Sequence, residues 1–144
     1  MGLLSRKIQR SLHVLTYRCT GGSRGGRRVG DGYDIPCLLL TTTGRKSGKK
    51  RTVPLGYMED GPNYVIIGSD AGAGKDPAWI LNLNSDPRAT LQVKGARIPV
   101  LAERPDPDER SRLWAGLVDQ NPVFSTYQTR TSREIPVVVL RPQG

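Results

Sequence analysis

Five cations fall within seven residues of the segment TTTGRKSGKKR: Arg45, Lys46, Lys49, Lys50 and Arg51, set around Gly44, Ser47 and Gly48. So placed they repel one another. The crowding is tolerable on a solvated turn, and becomes favourable where phosphate or carboxylate oxygens accept charge-assisted hydrogen bonds. The glycines would let backbone N–H groups approach the same oxygens. This is not a Walker A loop, because three residues rather than four separate Gly44 from Gly48 and the sequence beyond Lys49 has strand character.

A second constellation, GSDAGAGKDPAWILNL (residues 68–83), runs a glycine-rich loop into a helix start. Asp76 followed by Pro77 reads as an N-cap and first helical residue, and the helix continues through Trp79, Ile80, Leu81 and Leu83. An anion can sit at such an N-terminus with help from Lys75; the bland alternative is a loop ending in a well-capped helix. The dinucleotide fingerprint GxGxxG is excluded, since Gly72 and Gly74 lead into Lys-Asp-Pro. In a third stretch, NPVFSTYQTR (121–130), Phe124 and Tyr127 lie at i, i+3. They could wall a flat ring with the Tyr127 hydroxyl as donor, or pack in a core with one tyrosine tip in water.

These segments need a scaffold. Strand-like runs occupy 35–43, 51–59, 63–69, 88–94, 97–103 and 134–141, and tight links at Gly61–Pro62 and Gly95–Ala96 favour antiparallel hairpins. A second helix begins at Asp106-Pro107-Asp108-Glu109 with the features of a capping box, its apolar face carried by Leu113, Trp114, Leu117 and Val118. Six strands need their edges closed, so the expected fold is a small six-stranded antiparallel β-barrel with peripheral helices, mostly β in an α+β arrangement. It is preceded by residues 1–32: a basic amphipathic helix over 3–17, with Leu4, Ile8, Leu12 and Leu15 on one stripe and Arg6, Lys7 and Arg10 elsewhere, then a Gly/Arg-rich linker from Gly21 to Gly32 in which six of twelve residues are glycine. The barrel domain is then 33–144.

Composition narrows the chemistry. Lys plus Arg number 22 against 13 Asp plus Glu, a net charge of +9 on 144 residues, which points to an anionic partner: a phosphorylated cofactor, nucleic acid or an acidic membrane surface. Cys19 and Cys37 form no CxxC pair and His13 is the only histidine, so zinc sites and HExxH are excluded, no metal site is expected, and nucleophilic triads would depend on one imidazole. An enzyme of this composition would borrow its chemistry from a cofactor. No apolar run reaches the ~20 residues of a membrane span, and the chain reads as cytoplasmic, with 3–17 offering a peripheral contact with the cytoplasmic face of a membrane.

Taken together, LLLTTTGRKSGKKRTVPLGY, SDAGAGKDPAWILNLNSDPRATLQVKG and YQTRTSREIPVVVL resemble the deazaflavin-dependent nitroreductase family over about Ile35 to Leu140. The resemblance implies a split β-barrel of the FMN-binding type whose cofactor is coenzyme F420, a 5-deazaflavin with a lactyl phosphate and an oligoglutamate tail. It implies hydride transfer from the reduced deazaflavin to a quinone, an activated alkene or a nitroaromatic. By motif position, Lys46, Ser47, Gly48 and Arg51 would bind the phosphate region, and Lys49 and Lys50 the glutamate tail. Pro54 and Leu55 would follow on the strand facing the ring. Ser69, Ala71, Gly72, Lys75, Trp79 and Asn82 would line the loop and helix beside the cofactor, with Tyr127 and Ser69 as donors where negative charge develops.

This chain departs from the nitroreductase pattern at Gly56, Asp70 and Phe124, where members often carry tyrosine, lysine and tyrosine. Gly56 would enlarge the pocket, Asp70 would weaken an anion contact and Phe124 would remove a hydroxyl, so activation of nitroimidazoles is not expected. The alternatives are a non-catalytic flavin, deazaflavin or lipid carrier of the same fold, with FMN as the alternative cofactor, and a basic nucleic-acid-binding protein. The last is disfavoured because the chain lacks an aromatic-decorated surface for stacking bases, and no nucleic-acid partner is expected. Barrels of this type are often homodimers.

Overall fold

The structure is a computed structural model describing the backbone of residues 27–30 and 33–34 and the whole of residues 35–69 and 72–143. The amphipathic segment 3–17, His13, Cys19, Asp70 and Ala71 lie outside the described residues.

Among the described residues, seven strands and three helices follow in the order β1 (Arg27–Gly30), β2 (Tyr33–Thr43), β3 (Lys50–Asp60), β4 (Asn63–Ile67), α1 (Ala78–Ser85), β5 (Arg88–Val93), β6 (Ala96–Glu103), α2 (Pro107–Gln120), α3 (Val123–Thr129) and β7 (Val137–Pro142). Six of the strands close a barrel in the order β2-β3-β4-β7-β6-β5, every neighbour antiparallel, and the ring shuts where β5 meets β2 through Leu39↔Gln92, Leu40↔Leu91 and Thr41↔Thr90. Closure joins both ends of the six-stranded sheet, while the start of β2 (Tyr33–Pro36) runs past the β3 pairing and takes β1 instead.

The two-residue period of the strands sorts the side chains into two cores. Leu38, Leu40, Val53, Tyr57, Ile66, Leu91, Val93, Val100, Val138 and Leu140 fill the barrel, and α1 adds Trp79, Ile80 and Leu83 to that interior. An eight-residue helix is too short to stand alone, so this burial is what holds α1. The outward residues Ile35, Val65, Ile67, Val137 and Val139 form a second core with Leu113 and Leu117 of α2, Phe124 of α3 and Ile135. The helix at 107–120 starts as its sequence suggests, the Asp106 carboxylate accepting a 2.8 Å hydrogen bond from the Glu109 N–H.

Four expectations are corrected. Arg27–Gly30 pairs with β2 as strand β1, through Arg27↔Pro36 to Gly30↔Tyr33, where composition suggested the end of a linker. Asp76 does not cap α1: Pro77 occupies the N-cap position without a side-chain cap, because the Asp76 carboxylate is taken by Arg133 at 2.9 Å. The last strand begins at Val137 rather than 134, because Pro136 offers no N–H to the ladder and its carbonyl instead accepts from Gly68 N–H at 2.9 Å. Gly56 opens no pocket, because a Cβ there would come within 2.4 Å of Ile35 Cδ1, which already fills the space.

Candidate functional site

The cationic segment is the tip of the β2–β3 hairpin. Gly44 N–H donates to Lys49 O and Gly48 N–H to Gly44 O, both at 2.8 Å, while Gly48 adopts φ +70°, which favours glycine. Arg45, Lys46, Lys49, Lys50 and Arg51 are all exposed. Lys50 Nζ donates to Thr43 Oγ1 at 2.8 Å, but none of the five has a carboxylate within ion-pair distance among the described residues. Elsewhere Arg88, Arg110, Arg133 and Arg141 each have one, and Arg112 has two, Asp60 and Glu109. The turn is thus a cluster of five exposed cations without an ion-pair partner among the described residues.

Asn82 fastens the turn to α1. Its side chain is buried; Nδ2 donates to Thr42 Oγ1 and Oδ1 accepts from the Arg45 backbone N–H, each at 3.1 Å. Both ends of the amide are thus committed to the hairpin. Trp79, three residues earlier, is buried in the barrel. Pro54 and Leu55 fall on opposite faces of β3: Pro54 sits outward beside Leu39, and Leu55 packs against the interior.

The glycine-rich loop enters α1 under the control of a residue that the sequence reading gave no role. Arg133 Nη2 donates to Gly68 O and Ser69 O at 3.0 Å, Nε donates to Ala73 O at 2.8 Å, and Nη1 pairs with Asp76. Ser69 is buried, Gly72 N–H donates to its carbonyl at 2.8 Å, and Lys75 is exposed. Gly72 has φ +84°, and a Cβ there would lie 2.6 Å from the Tyr127 carbonyl and 2.8 Å from Arg130 Cβ, so the loop runs directly against α3.

On α3, Phe124 is buried and Tyr127 half-buried, their ring centroids 6.2 Å apart. The Arg130 guanidinium lies 5.6 Å from the Tyr127 ring centre. Gln128 donates to Arg133 O at 2.7 Å and accepts from Ile135 N–H at 3.0 Å, fixing the stretch that presents Arg133. The structure therefore ties the turn to α1 and the loop to α3, while Ala71 lies outside the described residues. Sequence reasoning missed Arg133 and Gln128. The only signal was an arginine just before an apolar strand, and its carboxylate partner is 57 positions away.

Residues 9–142 match the sequence profile of the F420H(2)-dependent quinone reductases. The chain belongs to that family. It is 41% identical over 133 residues to the F420H(2)-dependent quinone reductase Rv1261c of Mycobacterium tuberculosis, covering 90% of this chain and 87% of that one. A solved F420-H2 dependent reductase, FDR-A, superposes with a TM-score of 0.68 at 37% identity, over 74% of this chain and 94% of the other. A domain-swapped dimer superposes with a TM-score of 0.72 at 33% identity, over 94% and 96%. The protein is thus an F420H2-dependent reductase on a split barrel, with coenzyme F420 as its cofactor. The donor set suits that cofactor: exposed, unneutralised cations beside a glycine of positive φ are what a phosphate and a run of carboxylates require.

Proposed function

We propose that Lys46, Ser47, Gly48 and Arg51 hold the phosphate of F420, that Lys49 and Lys50 meet its glutamate tail, and that the acceptor reduced is a quinone, an activated alkene or a nitroaromatic. The observation that carries this reading is the cationic turn, whose five cations have no ion-pair partner among the described residues and which Asn82 fastens to the helix that follows the glycine loop. Bound there, the reduced deazaflavin supplies a hydride. The protein's own part is to bind, orient and stabilise charge. Asn82 keeps the turn in register with α1, so the cations are gathered before a ligand arrives and less ordering is left to binding. Gly72, three residues from both Ser69 and Lys75, brings the loop against α3.

Tyr127 donates its hydroxyl proton toward the acceptor oxygen as negative charge develops, with Ser69 as the second donor. The Arg130 guanidinium against the Tyr127 ring steadies the ring and makes the phenol a better donor. Membership of the quinone reductase family favours a flat, ring-shaped acceptor. The likeness to a domain-swapped dimer supports a homodimeric assembly.

The test is steady-state oxidation of F420H2 with a quinone, a cyclic enone and a nitroaromatic in parallel, for the wild type and Tyr127→Phe. The expected result is turnover with the quinone, and a fall in kcat of about 100-fold for Tyr127→Phe at unchanged F420 affinity. Unchanged kcat would remove Tyr127 from the mechanism.

A further inference from the structure

We infer that Arg133 is a positioning residue for cofactor binding: it clamps the two sides of the glycine-rich loop, residues 68–69 and 73–76, into the shape that receives F420. The inference rests on the functional reading above and adds a residue to it. Arg133 spans the loop with four hydrogen bonds: to the carbonyls of Gly68 and Ser69 on the incoming side, to the carbonyl of Ala73 on the outgoing side, and to the Asp76 carboxylate one residue before Pro77 at the head of α1.

The planar guanidinium suits this task. It presents its N–H groups in a fixed fork, so three backbone oxygens and a carboxylate can be held at set separations by one rigid group. The side chain is only 15% exposed, which screens these bonds from water. The anchor is itself anchored: Arg133 N–H donates to Thr131 Oγ1 at 3.3 Å, its carbonyl accepts from Gln128, and Gln128 also receives Ile135 N–H. The clamp therefore connects α3, which carries Tyr127, to the loop, which carries Ser69 and Lys75. A salt bridge present only for barrel stability would need Asp76 alone, whereas three of the four bonds go to the loop backbone.

Arg133→Lys keeps the charge and loses the fork, Arg133→Ala removes both, and Asp76→Ala removes one bond of the four. The measurements are amide hydrogen exchange of peptides covering residues 68–77 without cofactor, fluorescence titration with F420, and thermal melting. The expected result is faster exchange confined to 68–77 and an F420 Kd raised about tenfold in both Arg133 variants, with a smaller shift in the same direction for Asp76→Ala. Guanidinium ion added at millimolar concentration restores affinity to Arg133→Ala, and the KM for F420H2 rises while that for the quinone does not. Unchanged exchange at 68–77, or unchanged F420 affinity in variants whose loop has loosened, overturns the inference. If Arg133→Ala melts below the assay temperature, the lysine and Asp76 variants decide on the same criteria. A wild-type chain that fails to bind F420 sinks the functional reading and this inference together; normal wild-type binding with indifferent variants sinks the inference alone.

Discussion

The Asn82 carboxamide oxygen accepts a hydrogen bond from the Arg45 backbone N–H at 3.1 Å, joining a helix that plugs the barrel to the hairpin tip that carries five exposed cations. Thirty-seven residues separate the two, and the second half of the same amide reaches Thr42. Asn82→Ala leaves the buried Thr42 hydroxyl without this donor and the Arg45 N–H without its acceptor. The expected cost is about 2 kcal/mol in urea unfolding, together with weaker F420 binding. Asn82→Asp keeps an acceptor for the Arg45 N–H, and the Thr42 hydroxyl can turn to donate to its second oxygen, so this variant should fall between wild type and Asn82→Ala in both assays.

Gly72 is held at φ +84° with the Tyr127 carbonyl where a Cβ would go. Gly72→Ala combines left-handed strain with a backbone clash, and should destabilise the chain by about 2 to 4 kcal/mol or push the loop off α3. Thermal melting reads the first outcome. The second shows as lost turnover in a protein that melts normally.

Ile35 and Gly56 form a matched pair across the strands. A Cβ on Gly56 would meet Ile35 Cδ1 at 2.4 Å, and that atom is the one Ile→Val removes. Gly56→Ala alone should cost about 1 to 3 kcal/mol by overpacking. Combined with Ile35→Val, which costs about 1 kcal/mol singly, the double variant should be more stable than the sum by roughly 1 kcal/mol. Strict additivity in denaturant melts would show that the two side chains do not compete for this space.

The Arg112 guanidinium, hydrogen-bonded to Asp60 at 2.9 and 3.1 Å, holds that carboxyl below the ordinary aspartate range against a smaller opposing effect of burial. A carboxyl with a depressed folded-state pKa contributes stability that is present above its unfolded pKa, about 3.9, and is lost as pH falls through the folded value. Wild type should therefore melt slightly above Asp60→Asn from pH 7 to about 5, and the gap should close below about pH 4. Arg112 is more than half exposed, so the gap should also shrink with salt. A gap that widens on acidification would contradict this assignment.

The barrel was legible because alternation is local: each strand from 35 to 103 announces itself in its own residues, and hairpin links follow at once. What was not legible depends on partners far away in sequence. Arg27–Gly30 looks like linker by composition, and becomes a strand only because β2 offers it an edge. Asp76 has the sequence context of an N-cap, yet Arg133 competes for its carboxylate. Gly56 reads as a vacancy until Ile35, 21 positions earlier, is placed against it. At the site, residue types and spacing exposed the cationic turn and the glycine loop. They could not show that Asn82 has both amide ends committed to the hairpin, nor that one arginine holds the loop.

The most direct test of the account is a fluorescence titration of the whole chain with coenzyme F420 and, separately, FMN, at low and high salt, for the wild type and Lys46→Ala. Saturable F420 binding in preference to FMN, weakened by salt and by Lys46→Ala, is the expected result. Binding of F420 that ignores both salt and Lys46, or a preference for FMN, would contradict the claim that the cationic turn of the β2–β3 hairpin is where the cofactor's anionic tail is held.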